Sequence, residues 1–362
     1  MNAGPLIVTA VGDIMLGDLP ACTGFGVGSM IARHGPTFPF LRSRDGLAGS
    51  DLTIGNLEVV LSRFDLQSDP FDSCHLRAQP EAVKGLLWAG IDAVNLANNH
   101  IMQHGAGAVD ETVALLRANR IAFTGLANAE RGLANLTIVE RRGLRIGLLG
   151  YNFRPDKYRR LPRMDAGGDE TRILDDLEAA RPHTDLRILS LHWGEEFIDR
   201  PSGDQVRMGR RFVEAGAQIV LGHHPHIPQG IEEHRGGVIA YSLGNFVFDL
   251  WPERLRRSMI LRLRCDDPAR ITHEVRIATI NARWQPELAQ GAEADRRGAE
   301  LRALTALIDP DADATAWHDE VARELTRFRR SVYWHYIASL HRYGARRLAA
   351  NLRGVLARRL LR

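Results

Sequence analysis

The chain has almost no lysine: Lys84 and Lys157 stand alone among 362 residues, and arginine carries the rest of the positive charge. A bias this general reflects the composition of the coding genome and marks no particular site. Cysteine is also scarce. Cys22, Cys74 and Cys265 are odd in number and far apart, which excludes a cysteine-based metal motif and suits a reducing compartment. No apolar run is long enough to cross a bilayer as a helix. The segment Met1–Pro5 lacks the basic start of a secretory signal, and the apolar run behind it stops at Asp13. The expected location is the cytoplasm, with peripheral contact at the inner face of the membrane left open.

What remains is a globular composition, 44% hydrophobic and 25% charged, on a chain long enough for a large core and for two domains. The net charge of +3 conceals an asymmetry. Residues 321–362 hold eleven Arg and one Glu, a balance of +10, which leaves −7 for everything before them. In that tail Leu348, Leu352, Val355 and Leu356 share a helical face, mostly opposite Arg346, Arg347, Arg353 and Arg358. Tyr333, Trp334, Tyr336 and Tyr343 mix with Arg327, Arg329, Arg330 and Arg342 just before it. Two readings fit: a helix docked by its apolar face with the basic face in water, or an interfacial helix meeting anionic lipid or an acidic polymer. Nucleic acid is the weakest partner, since no recognised module accompanies the basic patch.

Strand-like runs recur at Leu6–Val11, Leu52–Ile54, Ile91–Leu96, Arg145–Leu149, Leu186–Leu191, Gln218–Leu221 and Val238–Ser242. Helical patterns lie between several of them, at Pro80–Ala89, Ala108–Asn119, Glu170–Ala180 and Gln205–Ala215. This alternation predicts an α/β fold with a largely parallel sheet core. A later β-rich portion, Ser258–Arg264 and His273–Ile280, suits a sheet packed on a sheet. The Ala- and charge-rich stretch Glu287–Ala316 reads as helix or linker. The expected divisions are a main domain over 1–285, a helical linker over 286–320 and a basic amphipathic helical tail over 321–362.

The chemistry gathers at strand ends. Gly222-His223-His224-Pro225-His226 puts three imidazoles into four residues, and Pro225 disfavours a helix at His224. Other apolar runs deliver Gly12-Asp13, Asn56-Leu57-Glu58, Asn98-Asn99-His100 and His192-Trp193-Gly194-Glu195-Glu196. Each alone has a plain structural reading. Asp13 suits a turn or helix cap, Asn98 and Asn99 suit side-chain turns, and His192 suits simple packing beside Trp193. Five such segments at five strand ends are harder to explain that way. An α/β sheet binds ligands at the carboxyl ends of its strands, so one edge could gather these groups into a binuclear metal site.

The ordered set Gly12-Asp13-Ile14-Met15-Leu16-Gly17, Asn56-Leu57-Glu58, Asn98-Asn99-His100, His192-Trp193-Gly194-Glu195, Gly222-His223-His224-Pro225-His226 and Ser242-Leu243-Gly244-Asn245-Phe246 resembles the CapA family. That is the bacterial capsule synthesis, or poly-γ-glutamate biosynthesis, family within the calcineurin-like metallophosphoesterase superfamily. The resemblance covers roughly residues 5–250. It implies a four-layer α/β/β/α sandwich, here with a C-terminal helical extension, and a dinuclear centre of divalent ions such as Mn, Zn or Fe. By the same resemblance Asp13, Glu58, Asn99, His192, His224 and His226 are metal ligands, with Glu58 bridging, and His100 is the acid assisting the leaving group. Asn56, Trp193, Glu195, His223 and Asn245 would support the ligands or touch substrate.

Two departures stand out. Met15 occupies a position where the superfamily has His, and a thioether is a poor ligand for such cations. Asp18 is one residue that could compensate. Glu58 replaces the usual bridging Asp with a longer arm. The implied activity is phosphoester hydrolysis associated with capsule or other extracellular polymer synthesis, on a phosphoester or anionic polymer substrate. The alternatives are an enzyme acting on an amide-linked polymer such as poly-γ-glutamate, and a non-catalytic accessory subunit of a synthesis or export complex.

Overall fold

Strand Leu6–Ile14 is buried at every position but Ile7, as a strand covered on both faces requires. It sits inside an eight-stranded sheet whose order is Pro286–Leu288, Arg270–Ile280, Arg257–Asp267, Leu6–Ile14, Leu52–Leu57, Ala93–Asn95 and Ala122–Thr124, with Asn245–Val247 pairing its end. The structure, a computed structural model, describes residues 4–64, 76–154, 164–268 and 270–343. From Leu6–Ile14 to Ala122–Thr124 the strands run parallel. A second sheet of six strands runs Ile231–His234, Gly237–Ala240, Ile219–His223, Leu186–His192, Leu144–Asn152 and Thr137–Arg141. Its four central strands are parallel and both edge strands antiparallel.

The two sheets pack face to face. Val8, Ala10, Leu52 and Ile54 of the first meet Leu148, Ile188, Ile219 and Leu221 of the second in one buried cluster. Truncating a side chain such as Ile54 to Ala in this layer costs about 2–5 kcal/mol. Helices Val83–Ala89 and Gly105–Ala118 cover the outer face of the first sheet through Leu86, Val109 and Leu116. Helices Glu170–Ala180 and Gly203–Glu214 cover the second through Ile173, Leu177, Val206 and Phe212. The result is a four-layer α/β/β/α sandwich.

The late β-rich portion does pack sheet on sheet, with Met259, Leu261 and Leu263 in the buried cluster between the two sheets, but it adds to the first sheet rather than making the second. Arg257–Asp267 and Arg270–Ile280 form an antiparallel hairpin that extends the first sheet beside Leu6–Ile14. The second sheet is instead built from the middle of the chain, between Thr137 and Ala240.

Beyond the sheets, helices Gly291–Thr305 and Ala314–Ala338 complete the described chain. The second runs through part of both the expected linker and the expected tail. Trp317 and Val321 bury against Ile198, and ion pairs Arg200–Glu320 and Arg254–Glu324 fasten the helix to the sandwich. Further along, Phe328 lies 4.2 Å from Phe197 and His335 stacks on Trp251 at 3.9 Å between ring centres. Tyr333 and Trp334 point the other way, 65% and 66% exposed. The apolar face at Leu348, Leu352, Val355 and Leu356 lies outside the described residues. Among the described residues no helix is long and apolar enough to cross a membrane.

Candidate metal centre

Strand register places the polar residues in one row. Asp13 pairs with Asn56 across parallel strands, Asn56 with Asn95, and His192 with His223 in the facing sheet. Asp13 is also opposite Asn245. These are carboxyl ends of parallel strands, where the chain turns out of both sheets.

Two glycines let the backbones close in. A Cβ on Gly12 would meet the Gly244 carbonyl oxygen at 1.9 Å, and the Asp13 N–H donates to that oxygen at 2.9 Å. A Cβ on Gly222 would likewise strike the Tyr241 carbonyl oxygen at 1.9 Å. Gly12 therefore fixes Asp13 beside Asn245, and Gly222 fixes the start of the histidine loop. Within that loop His224 and His226 adopt left-handed backbone, with φ of 96° and 58°. Non-glycine residues there cost of order 1–3 kcal/mol each and cluster at functional sites.

Glu58 is at the middle of the arrangement and is wholly buried. Its Oε1 lies 3.7 Å from His192 Nε2, 3.9 Å from His226 Nε2 and 4.0 Å from His100 Nε2. Two sets of donor atoms, Asp13–Glu58–His192 and Glu58–His224–His226, each lie within 4.8 Å of one another. Both sets are buried, and Glu58 belongs to both. Carboxylate oxygen and imidazole nitrogen are the donors that Zn, Mn or Fe accept, so the residues fit divalent cations.

Supporting groups orient these side chains. The Asn95 amide donates to Asn56 Oδ1 at 3.2 Å, and the Asn56 amide donates to Asp13 Oδ1 at 2.8 Å. The same Asn56 nitrogen is 3.3 Å from His192 Nδ1, while His192 Nε2 is 3.0 Å from Asn99 Oδ1. His226 Nδ1 lies 3.0 Å from Asn245 Oδ1 and 3.3 Å from Asp13 Oδ2, leaving Nε2 toward Glu58. Asn245 in turn donates to the carbonyls of His226 and Leu255. His223 puts Nδ1 3.5 Å from Asp13 Oδ1 and belongs to neither donor set.

The charges are strongly perturbed. Burial alone would raise the Asp13 carboxyl, but the His223 and His226 imidazoles beside it hold it well below the usual carboxylate range. Burial pushes His192 well below the usual imidazole value. Burial also opposes charge on His226, yet Glu58 and Asp13 together raise it to about 9.

The two adjacent asparagines divide their roles. Asn98 Oδ1 accepts the His100 N–H at 3.1 Å and its amide donates to Leu57 O at 3.0 Å, so Asn98 builds the turn. Asn99 faces His192. His100 borders the centre, with Nδ1 3.0 Å from Gln103 Oε1. Asn95 and Gln103 also serve the site, although neither belongs to a motif in the sequence. Asn95 looked like part of an apolar run, and its one signal was an amide at an otherwise aliphatic strand position.

Three further residues singled out in the sequence are engaged with other partners. Trp193 is 1% exposed, packs in the apolar layer beneath the outer helices, and donates its indole N–H to Tyr241 O at 3.0 Å. Its backbone N–H donates to the His223 carbonyl at 3.1 Å, which ties it to the strand that carries the histidine loop. Glu195 is drawn aside by Arg154, whose guanidinium donates to both its oxygens at 2.6 and 2.9 Å. Asp18 does not replace the missing histidine, because it accepts from the Gly24 and Ser29 backbone and the Ser29 hydroxyl. Met15 itself packs in the apolar layer under the first sheet, its sulfur accepting the Gly17 N–H at 3.1 Å. Cys22 and Cys265 are buried free thiols away from the donor sets, and Cys74 lies outside the described residues.

A cavity of about 280 Å³ opens onto this cluster, reaching Glu58, His100 and His226 from outside. Glu196, Phe197 and Phe248 line it as well.

The chain is similar to several known proteins. The capsule biosynthesis protein CapA of Bacillus anthracis is 30% identical over 274 residues, covering 72% of this chain and 64% of that protein, less than two thirds of its length. The PGA biosynthesis protein CapA of Bacillus subtilis is 29% identical over 266 residues, covering 71% of this chain and 67% of that one. A solved structure of a putative 5'-nucleotidase from Staphylococcus aureus is similar at a TM-score of 0.44 and 11% identity, over 83% of this chain and 58% of that one. Residues 7–250 match the family described as bacterial capsule synthesis protein PGA_cap, and the chain belongs to that family.

Proposed function

We propose that the protein is a metal-dependent phosphoesterase with a dinuclear centre, acting in the synthesis of a capsule or another extracellular polymer. The observation that carries this reading is the sharing of buried Glu58 between two donor sets at the base of a cavity. Asp13, Glu58, Asn99, His192, His224 and His226 would hold the ions. When bound, the ions supply polarisation of a phosphoryl oxygen and activation of water near neutral pH.

The protein's own groups do the rest. Asn56 and Asn245 hold Asp13, His192 and His226 in place, with His223 beside Asp13. Such supporting partners typically matter 10- to 100-fold for metal affinity or activity. His100 lines the cavity and would hold a proton at Nε2 for the leaving oxygen. Gln103 at Nδ1 keeps that ring oriented.

The helix Ala314–Ala338 adds a second surface. Its exposed Tyr333, Trp334 and Ile337, together with the arginines of residues 321–362, suit contact with an anionic membrane or a polymer synthesis complex.

The test is a panel of phosphomonoesters and diesters given to protein stripped of metal and reloaded with Mn²⁺ or Zn²⁺. Hydrolysis that His192→Ala abolishes is the expected result. Equal activity in wild type and His192→Ala contradicts it, and release of glutamate peptides from poly-γ-glutamate instead would favour an amide-cleaving enzyme.

A further inference from the structure

The helix that closes the cavity above the metal centre comes from outside the family-matched region, residues 7–250. Phe328, Val332 and Tyr336 of that helix line the cavity together with Phe248, Leu250 and Trp251, and Trp251 stacks on Phe328 at 5.8 Å between ring centres. The floor is Glu58, His100 and His226. Among the described residues the lining contains carboxylates at Glu58 and Glu196 but neither Lys nor Arg. With Glu58 holding the ions, a second negative charge beside the phosphoryl group would meet the Glu196 carboxylate and no guanidinium or ammonium to pair with. An apolar group would meet aromatic and aliphatic side chains, as small-molecule sites generally offer.

The wall is also held in place before any ligand arrives. Phe328 contacts Phe197 at 4.2 Å between ring centres, and Phe197 in turn lies 6.2 Å from His226. Phe248 meets His226 edge-on at 4.9 Å. Trp251 also stacks with His335 at 3.9 Å, and the Arg254–Glu324 pair fastens the same helix. The aromatic groups therefore form a fixed subsite that touches a candidate metal ligand directly.

Resting on the phosphoesterase reading, we infer that the substrate is an amphiphilic phosphoester. Its phosphoryl group lies at the donor sets, and the organic group beside it is apolar rather than a carboxylate-bearing chain. Phe328, Val332 and Tyr336 determine that specificity. The cavity, at about 280 Å³, is near the lower end of ligand-site volumes and suits one such group rather than a polymer segment.

Phosphonates test this without relying on turnover. The full chain, reloaded with Mn²⁺, is titrated calorimetrically with methylphosphonate, hexylphosphonate and 3-phosphonopropionate. The expected result is that hexylphosphonate binds at least about tenfold tighter than methylphosphonate, as burial of several methylenes dictates. 3-Phosphonopropionate should bind no tighter than methylphosphonate. Phe328→Ala and Val332→Ala should each cut the hexyl-to-methyl ratio by about threefold or more. Using the ratio removes any general loosening that weakens all ligands alike. Equal binding of hexyl- and methylphosphonate, a preference for the carboxylate, or a ratio unchanged in both variants overturns the apolar subsite and leaves the metal-centre reading standing. Failure of all three phosphonates to bind overturns both.

Discussion

The Asn56 side-chain nitrogen donates to Asp13 Oδ1 at 2.8 Å and lies 3.3 Å from His192 Nδ1, so one amide positions two candidate ligands from different sheets. It is itself held by Asn95, one strand further along. Removing the amide in Asn56→Ala should weaken Mn²⁺ binding about 10- to 100-fold. Titration against a competing chelator measures this. Unchanged affinity would mean that Asp13 and His192 need no such support.

Metal binding should depend steeply on pH. In the metal-free protein His226 is raised from 6.5 to about 9, so at neutral pH its imidazole is protonated and a cation must displace that proton. Affinity should therefore rise with pH until about 9 and release protons into the buffer. The stability effect has the opposite sign. A histidine raised on folding stabilises the metal-free fold fully below 6.5, and the contribution disappears as pH climbs through about 9. Melting of chelated protein across this range should show that loss, and His226→Gln should remove it. A wild-type profile as flat as that of His226→Gln would contradict the assignment.

Left-handed backbone at His224, with φ of 96°, predicts an order between two substitutions. Both His224→Ala and His224→Gly remove the imidazole. Only glycine adopts this φ freely, so the Gly variant should be the more stable by about 1 kcal/mol. Urea unfolding in the presence of chelator compares them, and equal midpoints would argue against strain at this residue.

Truncation at the helix anchor tests its attachment to the sandwich. Trp317 buries against Ile198, and Trp317→Ala should destabilise the protein by about 2–4 kcal/mol. A change under about 0.5 kcal/mol in urea unfolding would show that the helix does not fold cooperatively with the sheets.

Much of the site was legible because parallel strands end together. Asp13, Glu58, Asn99, His192, His224 and His226 each follow an apolar run, and topology carries such residues to one edge. Residue chemistry alone could not separate Asn98 from Asn99, because either amide can make a side-chain turn; only the family resemblance singled out Asn99. Trp193 was ambiguous for a related reason: a large aromatic beside a ligand position suits a pocket or a core, and Gly222 leaves room for it in the core. Met15 looked like damage to the centre, but its side chain is turned into the apolar layer. The hairpin Arg257–Ile280 was legible as β-structure, while its partner strand was a long-range choice. Least visible was the cavity wall. Phe328, Val332 and Tyr336 follow the spacing of an ordinary amphipathic helix, and nothing in that spacing names the surface it covers.

Metal content bears most directly on the central claim that two cation positions share Glu58. Elemental analysis should be made on wild type and Glu58→Gln after reloading with Mn²⁺ and removal of excess ion. The account predicts close to two ions per chain in the wild type and loss of both in Glu58→Gln, since the carboxylate belongs to each donor set. A wild type that retains no metal, or a Glu58→Gln variant that keeps its full complement, would contradict it.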